Sequence, residues 1–264
     1  MNYLITFANK PFRYNQLLNT KSARKIRCFH RIFNFSPRDF DKVFYKKNIG
    51  ILSQARGGGF WLWKPYFISE VLSKSLDGDI LFYCDSGSLF IDNVEPLLRL
   101  PEKFGQDIIP LGLGALEKQY SKRDAFILMD CDEARFTDTQ QRQASFIVLR
   151  NTAFSKMFVK EWLSYAQDPR ILTDADNVEG KSNYPEFIDH RHDQTIYSLL
   201  TKKYNLQPFR DPSQWGNAGI RNYSNSEYGQ LIDHTRDTTD PRLLSRIKNK
   251  IRRSLHQFMQ SRYT

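Results

Sequence analysis

The chain has 264 residues, enough for one large α/β domain with a short appendage but too few for two full domains. Apolar residues make up 40% and charged residues 26%, which excludes a disordered chain, and no run approaches the roughly 20 apolar residues that span a bilayer. The net charge of +10 points to anionic partners: nucleic acid, acidic lipid head groups or diphosphate-bearing substrates.

Residues 3–8 form a short apolar run closed by Asn9, Lys10 and Pro11, which predicts a buried first strand and then a loop. No basic leader with a long apolar core precedes it, so no signal peptide is expected. Residues 14–24 predict a helix, 26–29 a second strand and 40–52 more helix. Glycines 57–59 break the pattern. Helical spacing resumes over 64–76, with Pro65 in the first turn, where its missing N–H does no harm. After the turn signal Asp77-Gly78, Ile80–Cys84 is a continuous apolar run closed by Asp85, as in a strand buried on both faces of a mainly parallel sheet. Residues 125–129 and 144–149 predict further strands, and 153–165 and 193–204 amphipathic helices. This alternation predicts an α/β fold with a central sheet. Cys28, Cys84 and Cys131 show neither zinc spacing nor a disulfide framework, which fits a reducing cytoplasm.

The last segment changes character. Residues 236–264 contain eight Lys/Arg and two Asp, so they carry +6 of the +10. Leu243, Leu244, Ile247, Ile251, Leu255, Phe258 and Met259 fall at helical spacing. A docked terminal helix with solvated charges, an interfacial helix on anionic lipid, and a nucleic-acid contact all fit that pattern.

Three stretches carry chemistry. Asp85 ends a buried strand, at the sheet edge where open α/β folds bind ligands, and its carboxylate suits a divalent cation shared with diphosphate oxygens. It equally suits a capped turn through Ser86 or Ser88. An aspartyl nucleophile of the haloacid-dehalogenase phosphatase type would want a second Asp at position 87, which is Gly. In the second stretch, Gly57, Gly58 and Gly59 lie between Arg56 and the Trp61-Leu62-Trp63-Lys64-Pro65 run, and read either as backbone brought close to a ligand or as a structural corner. In the third, His190 and His192 stand two apart, a spacing that lets them converge on a metal. Asp193, at the helix start beside Gln194, suits a sugar-hydroxyl ligand, a general base or an N-cap.

Together, the strand closed by Asp85-Ser86-Gly87, the run from Gly59 to Pro65, and His192-Asp193-Gln194 opening a helix resemble the bacterial capsule and O-antigen glycosyltransferases. These are related in pattern to the glycogenin and lipopolysaccharide galactosyltransferase group, and the likeness covers roughly residues 3–235. It implies a single GT-A (Rossmann-like) domain over 1–235 with a mixed central sheet, followed by a basic amphipathic helical tail over 236–264. The implied activity moves a hexose, such as galactose in pyranose or furanose form, from a UDP-sugar to a lipid-linked oligosaccharide, with Mn²⁺ or Mg²⁺.

In that group an Asp-x-Asp at a strand end binds metal and diphosphate, an Asp-Gln pair lies beside the donor sugar, and a late histidine completes the metal site. Asp85 matches the first aspartate, while Gly87 departs from the pattern at the second. Asp193 and Gln194 match the pair. Asp193 is then the base of an inverting enzyme or the donor-positioning group of a retaining one. His234 is the expected histidine, from its order in the chain. Phe7 and Asn9 fall where uracil is held, and Ser86 adjoins Asp85. Lys122, Arg123 and Asp124, ahead of the strand expected at 125–129, resemble a donor-binding segment. Gln143 lies where the sugar pocket is lined, and Arg56 or Lys64 contacts the diphosphate. Residues 241–262 would hold the enzyme as a peripheral protein on the cytoplasmic face of a bacterial inner membrane. The rival readings are a phosphatase and a nucleic-acid-binding protein; against the latter, the charge is concentrated at one end without a nucleic-acid motif.

Overall fold

The computed structural model describes residues 1–218 and 223–235. The tail expected at 236–264, and the membrane contact placed on 241–262, lie outside the described residues. The strands are β1 (Asn2–Phe7), β2 (Arg31–Phe35), β3 (Ile80–Cys84), β4 (Ser88–Phe90), β5 (Ile108–Leu116), β6 (Gln140–Arg150) and β7 (Ile232–His234). The longer helices are α1 (Arg13–Ile26), α2 (Trp63–Lys74), α3 (Ala153–Ala166) and α4 (His192–Lys203).

Five strands form the central sheet in the order β2-β1-β3-β6-β5. β1 pairs in parallel with both β2 and β3, whereas β6 runs antiparallel to β3 and to β5. The sheet is therefore mixed, not mainly parallel. β3 sits at its centre and alternates its side chains between two cores: Leu81 and Tyr83 pack with α2, α3 and α4, while Phe82 and Cys84 pack on the opposite face with Ala23 of α1. Burial on both faces is why this strand reads as an unbroken apolar run. A small second sheet pairs β4 with β7, placing Ser88 opposite His234. All three cysteines are buried and unpaired.

Two element expectations need correction, and one strand was not expected. The second strand is Arg31–Phe35, not 26–29, because α1 continues to Ile26 and Arg27 turns it off at a left-handed φ of 55°. As an edge strand β2 is only partly buried, so its apolar signal is weak. Residues 125–129 fall on a short helix, Arg123–Leu128, and its C-cap. A five-residue apolar run does not by its periodicity distinguish a buried helical turn from a strand. β5 was not expected, since Pro110, Gly112 and Gly114 punctuate it. It tolerates them as an edge strand with register shifts after Ile109 and after Gly112.

Candidate active site

The carboxyl ends of β1 and β3, the start of α4 and the glycine corner before α2 enclose a cavity of about 440 Å³. Asp85 sits at its floor as the residue following β3, and its amide continues the ladder by donating to the Ser145 carbonyl at 2.9 Å. The Tyr83 hydroxyl donates to Asp85 Oδ1 at 2.5 Å. Lys64, from the first turn of α2, reaches into this floor with a side chain only 4% exposed. Its Nζ lies 2.7 Å from Asp193 Oδ2 and 3.7 Å from Asp85 Oδ1. It also donates to the Ala144 carbonyl at 3.0 Å. Burial pushes the Asp193 carboxyl up to about 6, with Lys64 pulling the other way.

The glycine run is a corner. Residues 57–61 all have positive φ: 58°, 60° and 95° at the glycines, then 50° at Phe60 and 60° at Trp61. Such a left-handed turn costs about 1–2 kcal/mol for each residue with a Cβ. Glycine is required at two of these positions on steric grounds also: a Cβ on Gly57 would meet the Trp61 ring at 2.3 Å, and one on Gly59 the Leu52 Cα at 2.7 Å. The amides of Gly58, Gly59 and Phe60 donate to the carbonyls of Ala55 and Arg56, so they serve the turn and not a ligand. The Trp63 indole donates to the Gly57 carbonyl at 2.9 Å, and the Trp61 ring stacks on His192 at 5.3 Å. The corner is thereby tied to the start of α4.

Of the residues singled out in the sequence, Phe7, Asn9, Arg56, Lys64, Asp85, Ser86, Asp193, Gln194 and His234 all line this one cavity. His234 arrives through the β4–β7 pairing, and the Thr235 amide donates to the Gly87 carbonyl at 3.2 Å. Phe7 lines the cavity, but its ring is stacked on Trp63 at 4.1 Å and on Phe67 at 5.6 Å, so it belongs chiefly to the core. Asn9 Oδ1 is buried and has no hydrogen-bond partner among the described residues. Arg56 is already engaged by Asp174 and Asp189, at 3.0 and 2.9 Å.

Three of the named residues lie elsewhere. Arg123 pairs with Asp132 at 2.8 Å. Asp124 is fully buried and accepts from the amides of Val178 and Glu179, so it organises a loop. Lys122 is the N-cap of a short helix, and Arg123 and Asp124 form its first turn, so the segment opens a helix and does not lead into a strand. Gln143 faces a second cavity and donates to Asp211 at 2.6 Å. Neither His190 nor His192 is presented as a free ligand pair. His190 uses both ring nitrogens, on the Ile171 carbonyl and the Lys122 amide, and His192 Nδ1 faces the Leu172 carbonyl at 2.9 Å. Burial holds His190 well below the usual imidazole range, so it is neutral.

Sequence reasoning missed Arg191, although it stands between His190 and His192. Its guanidinium lies over the Tyr120 ring at 4.7 Å and makes no ion pair among the described residues. Arg56 and Lys64, the other lysine and arginine side chains of the cavity, are both compensated by carboxylates.

No family model and no curated protein matches the chain. Among solved structures it is similar to mouse xyloside xylosyltransferase 1 in its apo form, at 12% identity, covering 91% of this chain and 99% of that one with a TM-score of 0.50. The fold is GT-A. The galactosyltransferase LgtC with donor and acceptor sugar analogues aligns at 12% identity over 89% of this chain and 86% of that one, with a TM-score of 0.48. The bifunctional glycosyltransferase WbbM aligns at 9% identity over 75% of this chain and 36% of that one, with a TM-score of 0.44.

Proposed function

We propose that the chain is a glycosyltransferase that transfers a hexose from a UDP-sugar to a glycan acceptor, with residues 1–235 as the catalytic unit. The observation that carries this reading is the buried Lys64–Asp193 pair beside the partly exposed Asp85 at the carboxyl edge of a GT-A sheet, inside a cavity of suitable size. In the transfer, the acceptor hydroxyl oxygen bonds to the anomeric carbon while the bond from that carbon to the diphosphate breaks, its electron pair leaving with UDP. Negative charge builds on the departing diphosphate, and fixed cations stabilise it. Arg191 supplies positive charge that no carboxylate among the described residues already neutralises. Asn9 Oδ1, buried and without a partner, suits a donor group such as the uracil N–H.

Asp193 and Gln194 face the donor sugar. In an inverting transfer Asp193 accepts the acceptor hydroxyl proton. In a retaining one the departing phosphate takes that proton and Asp193 positions the sugar. The anomeric configuration of the product, read by NMR, separates the two.

A divalent cation fits the cavity as a weakly held partner. Asp85 and His234 offer one carboxylate and one imidazole, diphosphate oxygens and water would supply the rest, and no group of three or more His, Cys, Asp or Glu ligands forms among the described residues. When bound, Mn²⁺ or Mg²⁺ would add Lewis-acid stabilisation of the diphosphate. A phosphatase built on Asp85 would lack its second carboxylate, because position 87 is Gly.

The acceptor we propose is a lipid-linked oligosaccharide of surface polysaccharide synthesis, with the basic segment 241–262 holding the protein on the inner face of a bacterial inner membrane. No helix among the described residues is long and apolar enough to cross a membrane, which is compatible with that peripheral role. The test is a thermal-shift screen of UDP-sugars with and without Mn²⁺, followed by turnover of Asp85→Ala. A UDP-sugar should stabilise the wild type and the variant should lose turnover while keeping its fold. No response to any UDP-sugar, or full activity in the variant, would overturn the reading.

A further inference from the structure

A fully buried polar network ends on Gln194. Glu117, the residue after β5, is completely buried, and so are Gln141, Thr195 and Ser198 around it. Its Oε1 accepts from Lys202 Nζ at 2.6 Å and from the Ser198 hydroxyl. Its Oε2 accepts from the Ser121 hydroxyl and from Gln141 Nε2, each at 3.0 Å. Gln194, Ser198 and Lys202 stand four apart on α4, so one face of that helix carries the network from its last turn to its first.

The final links are two glutamine amides. Gln141 Nε2 faces Glu117, so its Oε1 is turned the other way and accepts from Gln194 Nε2 at 2.9 Å. Gln194 Oε1 in turn accepts from the Ala144 amide at 3.3 Å. A carboxylate only accepts and a backbone N–H only donates, so the two ends of this chain allow one orientation of both amides. These bonds leave Gln194 one N–H and one lone pair, and its side chain lines the candidate site.

We infer that Glu117 is a positioning residue: acting through Gln141, it fixes which end of the Gln194 amide meets the hydroxyls of the donor sugar. This rests on the reading above in which Gln194 faces that sugar. Glu117 lines neither of the two cavities that Gln194 lines, so its effect on a ligand passes through other residues. A buried ion pair is a poor source of stability, since desolvation offsets its attraction. What the Glu117 charge supplies is direction. In Glu117→Gln the Lys202 ammonium keeps the new carbonyl on its own side, so the new NH2 turns to Gln141. Gln141 can accept from it only by reversing, which sets its own NH2 against that of Gln194. If Gln194 reverses too, its NH2 meets the Ala144 N–H. One donor–donor conflict remains wherever the chain settles, and swinging the Gln194 amide away from the sugar relieves it.

The test is calorimetric titration of the full chain, with Mn²⁺ present, using UDP, UDP-galactose and UDP-glucose. The quantity read is the affinity for each UDP-hexose relative to that for UDP. Glu117→Gln should lower this ratio at least about fivefold for the hexose that wild type binds, with UDP affinity unchanged. Gln141→Met cuts the relay and leaves the Glu117–Lys202 pair in place. It should do the same, and it covers the case in which the first variant does not fold. Gln194→Leu should lower the ratio by itself, and adding either variant to it should change nothing further. A further loss in the Gln194→Leu background, an equal loss for UDP, or an unchanged ratio in either folded variant overturns the inference. UDP binding without either UDP-hexose overturns it too, while the nucleotide reading stands. If UDP itself does not bind, the donor reading fails and takes this inference with it.

Discussion

Replacing Lys64 by Met keeps an unbranched stem of similar volume, one atom shorter, but removes the ammonium that neutralises Asp193. In the wild type the Asp193 carboxyl is held up to about 6 even with that ammonium 2.7 Å away. Without it, a fully desolvated carboxylate would stand near Asp85 with no counter-charge, so the carboxyl escapes by keeping its proton. At pH 7.5, staying protonated costs 1.36 kcal/mol for each unit above about 6, roughly 2 kcal/mol more than in the wild type. Loss of the hydrogen bond to the Ala144 carbonyl adds about 1 kcal/mol. The expected deficit is therefore about 3 kcal/mol at pH 7.5, at the lower edge of what breaking a buried pair usually costs. It should shrink to about 1 kcal/mol near pH 6 and grow by about 1.4 kcal/mol per pH unit above it. Urea titrations of wild type and Lys64→Met, followed by tryptophan fluorescence from pH 6 to 8, read this directly. Adding Asp193→Asn to the Met variant should flatten the pH dependence. A deficit below about 1 kcal/mol that stays flat with pH would refute the buried pair.

Four further outcomes follow from the same geometry. Donor kcat/KM should fall as pH drops through about 6, since Asp193 then takes a proton and releases Lys64. The stability contribution of that group moves the opposite way, rising as pH falls from about 6 toward its ordinary 3.8, because a raised folded value favours the protonated folded state. A rate profile flat to pH 5 in folded protein would argue against an ionised Asp193 in turnover. Gly59→Ala should cost more than about 2 kcal/mol in thermal melts, combining left-handed strain with the Leu52 backbone clash. Gly78→Ala is the control, since its φ is also positive but nothing stands within 4 Å of the added Cβ, and about 1 kcal/mol is expected. Arg191→Gln should raise the donor KM about tenfold or more with an unchanged melting temperature, if its charge meets the diphosphate. Truncation before Pro241 should release the protein from anionic vesicles and spare activity on a soluble acceptor; unchanged partitioning would remove the membrane role given to the tail.

Much of the scaffold was legible in the chain alone. β3 announces itself because a central strand buried on both faces has no polar position to interrupt it. α3 is legible because it buries one stripe, Ser155, Phe158, Val159, Trp162 and Ala166, and leaves the opposite face wetter. α2 and α4 are buried over most of their residues and are legible from their length and helical apolar spacing. The strand that closes on Asp85, and the Asp193-Gln194 pair at a helix start, are local patterns, so their presence at one cavity could be expected from spacing and resemblance. The edge strands were not legible. β2 is half-exposed and β5 carries Pro110 and two glycines, and both owe their conformation to a neighbour's ladder more than to their own residues.

What only the tertiary structure decided is which charges are free. Arg56 and Arg191 look alike in sequence, yet one meets Asp174 and Asp189 from a distant loop and the other meets none. Lys64 and Asp193 are 129 positions apart, and only the packing of α2 and α4 around the end of β3 makes them a buried pair. His234 reaches the cavity only because β7 pairs with β4. Local patterning sets where each backbone segment runs, since propensity and burial periodicity are short-range. The compensation of a charge depends on partners brought together by long-range contacts, and no window of sequence contains them.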